Sequence, residues 1–451
     1  MPSKSLWLEE RVQKFNPLRG EQAADVAVVG GGITGLTTAY LLTRAGMNVA
    51  LVEAREVSSG ASGHTTAHIT SQHDLVYARW IKRFGMETAS LYAKANESAI
   101  STIEGIIAEE RIECDFTEVD SYAYTNDHAR FTDILDEAQA ASELGISAEL
   151  KKDGDFILPY LMAVRFRNQA MFHPVKYLNG LAGAIVRGGG RIFEQSRVLH
   201  IREGQLETAE GVLRASKIII ATHLPVVNFP GWYFARVYQS RSYVLALSKA
   251  PQIDGMWDCI DKNGKTYRMY KDYLIVCGGG HKCGVQSKSS RYAELKSFCL
   301  RRIPGIRVEY SWSAQDGITI DGLPYIGQYS KKTPWLFVAT GYAKWGMTQG
   351  TVAGSILASL IKKDENPYID VFSPQRRMGL TAVSGLVSQN AATLAHLTTG
   401  FLRFGPPLCA HMKCRLVWNK DEHTWDCPCH GSRFDESGAV LEPPAIHGLK
   451  R

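Results

Sequence analysis

The chain has 451 residues, enough for two or three domains, and 45% of them are hydrophobic, so folded cores can form. Charged residues make up 21%, and the surplus behind the net charge of +6 is scattered rather than gathered in a basic block. This composition argues against disorder, a membrane bundle and a nucleic-acid partner. Residues 1–20 are charged throughout and the apolar stretches are short, so we expect no secretory signal, no membrane span and a cytoplasmic protein.

A strand–turn–helix–strand unit is predicted first along the chain. Residues 25–30 (DVAVVG) have the continuous apolar character of a buried parallel strand. A helix is predicted from Ile33 to about Ala45, and residues 48–54 (NVALVEA) form the next strand. The pattern predicts a βαβ unit, in which two parallel strands are joined by a crossover helix.

The turn between this strand and this helix has the spacing Gly30-x-Gly32-x-x-Gly35. Such glycines permit a tight turn, let the backbone approach a pyrophosphate and allow the helix to pack closely on the strand. The helix N-terminus then faces the negative charge. Glu53, at the end of the second strand, is placed to accept ribose hydroxyls. The unit predicts a dinucleotide site and does not by itself decide between FAD and NAD, because both use it.

Helical and strand patterns alternate through the rest of the body. Helical spacing dominates residues 74–149, whereas residues 232–312 are rich in Tyr, Trp, Val and Ile and favour a separate antiparallel sheet. The shorter expected elements are a helix from about Pro174, a strand at 191–197, a hairpin at 198–214, buried strands at 216–222 and 335–339, and a helix at about 347–362.

Four of the nine cysteines lie in the last 43 residues, which indicates a metal site rather than a disulfide scaffold. Cys409-x-His411 and Cys427-x-x-His430 each combine one thiolate with one imidazole. Zinc fingers usually pair like ligands in each arm, whereas mixed arms suit a 2Fe–2S cluster with both cysteines on one iron and both histidines on the other. Zinc, or a degenerate empty site, remains the alternative.

Residues 24–363 resemble the D-amino-acid oxidase/glycine oxidase superfamily of flavoenzymes. Besides the glycine turn, the resemblance is carried by residues 60–70 (GASGHTTAHIT), 173–197, 218–222 (IIIAT), 321–327 (DGLPYIG), 339–341 (ATG) and 344–348 (KWGMT). It implies FAD as the cofactor. The cofactor-binding residues then expected are Gly30, Gly32, Ile33, Thr34, Gly35, Glu53, Ala54, Ser62, His64, Thr65, Thr66, Val198, Ala221, Thr222, Gly341, Trp345, Gly346, Met347 and Thr348.

Two of these positions carry a more specific expectation. A helix that begins near Met347 would point its positive end at the flavin ring. In some amine-oxidising relatives, a histidine at about the position of His64 attaches FAD covalently. Covalent attachment through His64 and ordinary contact with the cofactor both remain open.

The C-terminal segments 409–414 (CAHMKC) and 424–434 (TWDCPCHGSRF) resemble the two cluster loops of Rieske proteins. The resemblance implies that Cys409, His411, Cys427 and His430 bind the cluster and that Cys414 and Cys429 form an inter-loop disulfide. Lys413 stands where the Rieske loop usually has glycine. Residues 380–407 look helical or irregular, where a full Rieske domain has several strands, so we expect a reduced version of the domain.

The resemblances imply an α/β fold, with an FAD-binding Rossmann-like domain, an antiparallel-sheet substrate domain and a small C-terminal all-β Rieske subdomain. We expect the oxidoreductase body at residues 1–363, a linker at 364–404 and the Rieske subdomain at 405–451. Within the body, FAD-binding parts are expected at about 24–75, 170–225 and 315–363, a helical part at about 76–150 and the substrate sheet at about 226–314.

The implied reaction is hydride transfer to flavin from the C–H bond beside an amine nitrogen, with a small amine or amino acid as substrate. Electrons would then pass through the cluster to an external acceptor, which could be a protein, a quinone or oxygen. Arg241 and Arg268 are candidates for a carboxylate clamp, and Tyr270 and Trp345 for pocket walls. Two alternatives remain open: a redox-transfer flavoprotein reduced by a protein partner without a small amine substrate, and an oxidase with a structural cluster.

Overall fold

The structure is a computed structural model that describes residues 4–10, 13–287, 289–377 and 407–450. Among these residues, every helix is too short or too polar to cross a membrane. In chain order the helices are α1 (Ile33–Arg44), α2 (Tyr77–Phe84), α3 (Met86–Glu110), α4 (Phe131–Glu143), α5 (Pro174–Arg187), α6 (Tyr233–Arg236), α7 (Arg291–Arg302), α8 (Gly346–Lys362) and α9 (Ile369–Phe372).

The strands form three sheets and are numbered in chain order. The first ten are β1 (Gly20–Val29), β2 (Val49–Val52), β3 (His68–Ile69), β4 (Thr117–Thr125), β5 (Ala148–Asp155), β6 (Pro159–Met171), β7 (Arg191–Phe193), β8 (His200–Arg202), β9 (Gln205–Glu207) and β10 (Gly211–Ile220). The others are β11 (Val237–Ser248), β12 (Met256–Cys259), β13 (Thr266–Tyr270), β14 (Tyr273–Lys282), β15 (Arg307–Thr319), β16 (Tyr325–Gln328), β17 (Leu336–Thr340), β18 (Val417–Asn419), β19 (Thr424–Asp426), β20 (Arg433–Phe434) and β21 (Val440–Glu442).

The first sheet confirms the predicted βαβ unit. Its strand order is β16-β17-β10-β1-β2-β7, and the pairs from β17 to β7 are parallel. Val28 of β1 lies between Ile219 and Leu51 and is fully buried. Helices α1, α5 and α8 pack together beside this sheet. A parallel sheet covered by helices needs apolar residues throughout its strands, which explains the unbroken apolar run of β1.

The second sheet is larger than the sequence indicates. It has the order β15-β11-β14-β13-β12-β4-β6-β3, with β5 paired to β6. Strand β4 lies inside the stretch at 76–150 predicted to be helical, and β3 to β6 all precede the predicted sheet at 226–314. Both expectations are therefore corrected. The pairing of β4 with β12 joins strands far apart in the chain, and such pairing leaves no local signal.

Part of the expected linker belongs to the body. Residues 364–377 include α9, whose Val371 and Phe372 are buried. Arg376 then forms a two-pronged ion pair with Asp321, with both nitrogen–oxygen distances at 2.8 Å. The remainder of the predicted linker, and nearly all of the stretch at 380–407 predicted to be helical or irregular, lies outside the described residues.

The third sheet holds the C-terminal subdomain. It consists of the four short antiparallel strands β18 to β21, around a small core that includes Leu416, Phe434 and Ala445. The architecture confirms the predicted class, in which an α/β body with a large second sheet is followed by a small all-β unit.

Candidate functional site

A long cavity begins at the turn between β1 and α1. Gly30 has φ +112°, and a Cβ there would lie 2.4 Å from the carbonyl oxygen of Ala221, so only glycine fits this backbone. A Cβ on Gly35 would lie 1.9 Å from the carbonyl oxygen of Gly30. Gly35 therefore permits close packing of helix on strand and does not line the cavity. The first two residues of α1, Ile33 and Thr34, do line it.

Glu53, which directly follows β2, lines the same part of the cavity. Its Oε2 accepts a hydrogen bond from the Gly31 backbone N–H at 2.7 Å, and its Oε1 accepts one from the Arg55 N–H at 2.8 Å. Ser62 also contacts this turn, since its Oγ accepts a hydrogen bond from the Ile33 N–H at 3.0 Å. The arrangement holds backbone amides and one carboxylate at the end of two parallel strands, where open α/β sheets bind nucleotides.

Most residues predicted to bind the cofactor line this one cavity. They are Gly30, Gly32, Ile33, Thr34, Glu53, Ala54, Ser62, Thr65, Thr66, Val198, Ala221, Thr222, Trp345, Gly346 and Met347. Helix α8 begins at Gly346, so its N-terminus faces the cavity as expected. The structure thus brings together segments separated by some 300 positions in the chain around one cavity.

Three other predicted contacts lie elsewhere. The His64 ring is bonded through Nδ1 to the carbonyl oxygen of Gly60 at 2.9 Å and does not line the cavity, so this geometry does not favour attachment of a cofactor there. Gly341 packs against Thr319, where a Cβ would lie only 2.2 Å from Cγ2. Thr348 donates to the carbonyl oxygen of Thr70 at 2.9 Å inside the protein. None of the three lines the cavity, so their contact with the cofactor stays a prediction.

The cavity continues onto one face of the second sheet. In β11, Ser242 and Val244 line it, whereas the alternate positions Arg241 and Tyr243 do not. Successive side chains of a strand point to opposite faces. Arg241 therefore points away from the cavity, and its guanidinium contacts Ser313, Gln315 and Asp426 instead. The expectation that Arg241 binds a substrate carboxylate is therefore corrected, because the alternation of side chains along β11 directs Arg241 away from the cavity.

Arg268 and Tyr270 also have other partners. Arg268 donates to the backbone carbonyls of Ala67 at 2.7 Å and Phe172 at 3.3 Å, and Tyr270 donates to Asp115 at 2.9 Å. Neither lines the cavity. Of the four predicted catalytic or pocket residues, Trp345 alone does, and its ring stacks on His73 with 5.0 Å between the centroids.

Several ionisable cavity residues are not apparent from the sequence. They are His68, Asp74, Asp258, Asp316 and Lys344. Asp258 lies on β12 and Asp316 on β15, at positions where the alternation of each strand directs the side chain into the cavity. This alternation is the signal that could have identified them, but only once the buried face of each strand is known.

The cluster loops bring the four predicted ligands together. Cys409 and Cys427 are both free thiols, and the rings of His411 and His430 lie 5.1 Å apart. Nδ1 of each histidine is buried without a hydrogen-bond partner among the described residues. Buried polar atoms normally have partners, so two orphaned ring nitrogens beside two thiols fit residues that hold a metal centre.

A disulfide joins the two loops. It links Cys414 to Cys429, as the sequence resemblance implies, so those sulfurs are not available as ligands although they lie near Cys427. Lys413 has φ +59°. This left-handed conformation explains why glycine usually occupies the position, because a side chain there costs roughly 1 kcal/mol.

The C-terminal subdomain contacts the body at the cavity itself. Leu441, Glu442, Pro443 and Ile446 line the same cavity as the glycine turn. Nε2 of His411 lies 2.7 Å from Oδ1 of Asn228 in the body. An imidazole Nε2–H that donates to an amide oxygen leaves Nδ1 free as a ligand. The fold therefore places the cluster loops and the nucleotide-type cavity side by side.

Comparison with known proteins agrees with both halves of this architecture. Residues 25–360 match the family DAO, described as FAD dependent oxidoreductase, and residues 389–451 match the Rieske [2Fe-2S] domain. The chain is 37% identical to the putative Rieske 2Fe-2S iron-sulfur protein YhfW of Bacillus subtilis, over 97% of this chain and 95% of that protein.

Two further similarities concern the body. The gamma-glutamylputrescine oxidoreductase of Escherichia coli is 26% identical, over 80% of this chain and 88% of that protein. Glycine oxidase from Geobacillus kaustophilus has the same fold, with a TM-score of 0.69 at 20% identity over 79% of this chain and all of that one. FAD and a 2Fe–2S cluster are thus the cofactors of these families, as the sequence predicts. The chain belongs to the FAD dependent oxidoreductase (DAO) family and carries a Rieske [2Fe-2S] domain.

Proposed function

We propose that this protein oxidises a small amine or amino acid and delivers the electrons to an external acceptor by way of its Rieske domain. One observation carries the proposal. A single cavity runs from the glycine turn to the polar face of the second sheet, and residues of the Rieske domain line part of it. A cofactor held at the turn and a substrate held at the sheet would therefore meet inside one enclosure, next to the cluster loops.

The chain's own residues would hold FAD as follows. The backbone amides around Gly32 and the N-terminus of α1 bind the pyrophosphate, and Glu53 accepts hydrogen bonds from the ribose. Gly346 and Met347, at the start of α8, present the positive end of a helix to the ring. When bound, FAD accepts a hydride from a C–H bond, and the 2Fe–2S cluster accepts electrons one at a time.

The substrate would lie against the second sheet. Ser242 and Val244 form its wall there, and Trp345 covers the side towards His73. This wall excludes water from the C–H bond that is broken, while the carboxylates of the cavity orient the amine. The relatives support this assignment, because gamma-glutamylputrescine oxidoreductase and glycine oxidase are named for nitrogen-containing substrates.

The Rieske domain would serve as the electron exit. His411 contacts Asn228 at 2.7 Å, and buried contacts hold the domain on the body, so the cluster is held at a fixed position relative to the cavity. A one-electron centre next to a hydride acceptor lets a two-electron oxidation be coupled to a one-electron acceptor.

The test is anaerobic mixing of the holoprotein with a panel of amines and amino acids. We expect bleaching of the flavin absorption, followed by the electron paramagnetic resonance signal of a reduced Rieske cluster. Absence of bleaching with every compound, together with reduction by ferredoxin, would instead establish a redox-transfer flavoprotein. Rapid peroxide formation that Cys427→Ser leaves unchanged would establish an oxidase in which the cluster is structural.

A further inference from the structure

The sheet end of the cavity is built from one row of side chains. Strand register places Asp258 beside Thr266, Thr266 beside Cys277, and Cys277 beside Val244, across four neighbouring strands. All four residues line the cavity. Asp316 lies two positions beyond Ala314 on β15, on the same cavity-facing side. Trp312 is the residue of β15 opposite Val244, so Asp316 lies four positions beyond the row, and Asp258 is the carboxyl group within it.

Negative charge predominates at this end. Asp74, Asp258 and Asp316 line it, together with one lysine, Lys344, and the imidazoles of His68 and His223. The cavity's arginines belong to the other end, where the backbone of Arg55 contacts Glu53 and the guanidinium of Arg197 donates to the carbonyl oxygen of Val440 at 3.2 Å. Among the described residues, no arginine at the sheet end is placed to bind a substrate carboxylate.

Unpartnered buried groups mark the same end as a binding site. Asp258 is 5% exposed, and its Oδ1 accepts a hydrogen bond from Thr266 at 2.7 Å. Its Oδ2 has no hydrogen-bond partner among the described residues, and the nearest cation-forming atom, Nδ1 of His68, lies 3.6 Å away. His68 is 6% exposed, and its Nε2 also lacks a partner in the described part of the chain. Such groups are costly unless a ligand or water satisfies them.

The pKa shifts agree with this charge balance. Burial raises the pKa of Asp316 to about 6, although the nearby Lys344 and His223 oppose the shift. Burial also raises the pKa of Asp74. Burial alone would lower the pKa of Lys344, but the surrounding Asp74, Cys277, Asp316 and Asp258 raise it. The carboxylates thus outweigh the lysine, and a cation that enters the cavity would be stabilised.

We propose that the substrate is an amine with a second cationic group, of the diamine or polyamine type, whose distal ammonium binds Asp258, while Asp316 adds to the negative charge of the same cavity. The inference rests on the proposed function, since one amine must reach the flavin. An α- or ω-amino acid is disfavoured because its carboxylate would face three aspartates, against one lysine, Lys344, and the imidazoles of His68 and His223. The aspartates would favour binding of a diamine and disfavour binding of an amino acid, whereas Lys344 would do the reverse. Substitution of these residues can therefore distinguish the two substrate classes.

The experiment uses the oxidised holoprotein and three ligands of matched length: 1,4-diaminobutane, pentylamine and 4-aminobutanoate. Dissociation constants come from perturbation of the flavin absorption spectrum, and bleaching is recorded separately. We expect 1,4-diaminobutane to bind at least about tenfold more tightly than the other two, as removal of a charged hydrogen bond implies. Asp316→Asn and Asp258→Asn should each reduce this preference, whereas Lys344→Met should keep or increase it.

Asp272→Asn, at an exposed turn between β13 and β14, is the matched control and should change nothing. Tighter binding of 4-aminobutanoate that Lys344→Met abolishes would overturn the inference, as would equal affinities or no binding for the three ligands. Preferential binding of the diamine without bleaching by any amine would support the site while refuting the proposed oxidation. Failure of the diamine assignment and failure of the proposed oxidation therefore give different results.

Discussion

Arg241 of β11 and Asp426 of β19 form an ion pair across the boundary between the body and the Rieske domain. Their Nη2 and Oδ2 atoms are 3.2 Å apart, and the side chains are 1% and 4% exposed. Ser313 and Gln315 accept further hydrogen bonds from the guanidinium, and Gln315 in turn donates to the carbonyl oxygen of Gly431 at 2.8 Å. A buried charge network thus lies between the large sheet and a cluster-binding loop.

Arg241→Met should destabilise the protein by about 3–5 kcal/mol, because it removes the nearest cation from the buried Asp426 carboxylate and leaves Arg433, at 3.9 Å, as the remaining one. Guanidinium unfolding, followed through the visible circular dichroism of the cluster, measures the effect. Replacement of both partners, as in Arg241→Met with Asp426→Leu, should recover most of the loss, since buried pairs can be exchanged for apolar contacts. If Arg241→Met alone were as stable as the parent protein, the ion pair would not have this stabilising role.

Undocking of the Rieske domain should also weaken FAD binding, because Leu441, Glu442 and Pro443 line the cavity of the glycine turn. For Arg241→Met we expect the dissociation constant of FAD to rise by about 5- to 150-fold, the usual range for coupled sites. Titration of the apoprotein with FAD, followed by flavin fluorescence, gives this constant. The double variant should bind FAD as the parent does, and unchanged affinity in the single variant would show that the domain is not needed for the site.

Cys427→Ser should abolish the Rieske resonance signal and leave the flavin absorption in place, because the role predicted for Cys427 is to bind the cluster alone. Cys299→Ser is the control, since Cys299 is a buried free cysteine of α7 in the body. Metal analysis of the parent protein provides the second check. Zinc in place of iron would refute the cluster assignment.

Arg376→Ala should lower the free energy of unfolding by about 3–5 kcal/mol, because Asp321 would remain buried and unpaired. Arg376 also donates to the carbonyl oxygens of Leu323 at 2.7 Å and Pro324 at 2.8 Å. Arg377→Ala, at the adjacent exposed position, is the matched control. Similar stability of the two variants, measured by denaturant unfolding, would argue against this anchor.

Binding of a cationic ligand should weaken at low pH. Because the pKa of Asp316 is raised to about 6, its carboxyl group keeps a proton below that pH and becomes negative above it. A pentyltrimethylammonium ion has a charge independent of pH, and we expect it to bind up to about tenfold more weakly at pH 5 than at pH 8.

Lys344 and His223 act on Asp316, and Asp74, Asp258 and His68 line the same cavity, so the assignment to Asp316 needs its own control. Asp316→Asn should bind the ion weakly at both pH values and thereby flatten the profile. Equal affinity of the parent protein at pH 5 and pH 8 would rule out Asp316 as the titrating group.

Local sequence patterns determined the parts of this protein that depend on short-range geometry. The turn at Gly30 needs a backbone that only glycine adopts, and the four cluster ligands lie within two short loops, so both could be predicted from spacing. The disulfide between Cys414 and Cys429 was implied by the resemblance of these loops to those of Rieske proteins. In each case the residues that act together are close in the chain or belong to one motif.

Tertiary structure alone decided which side chains meet across long distances. Arg241 and Ser242 are neighbours in sequence, yet one faces Asp426 and the other faces the cavity, because a strand alternates its side chains. The pairing of β4 with β12, the anchoring of Arg376 and the entry of Glu442 into the cavity are contacts between remote segments. Composition and periodicity permit many contacts between remote segments, and packing selects among them. The carboxyl groups of Asp258 and Asp316 could therefore be assigned to the cavity wall only from the folded chain.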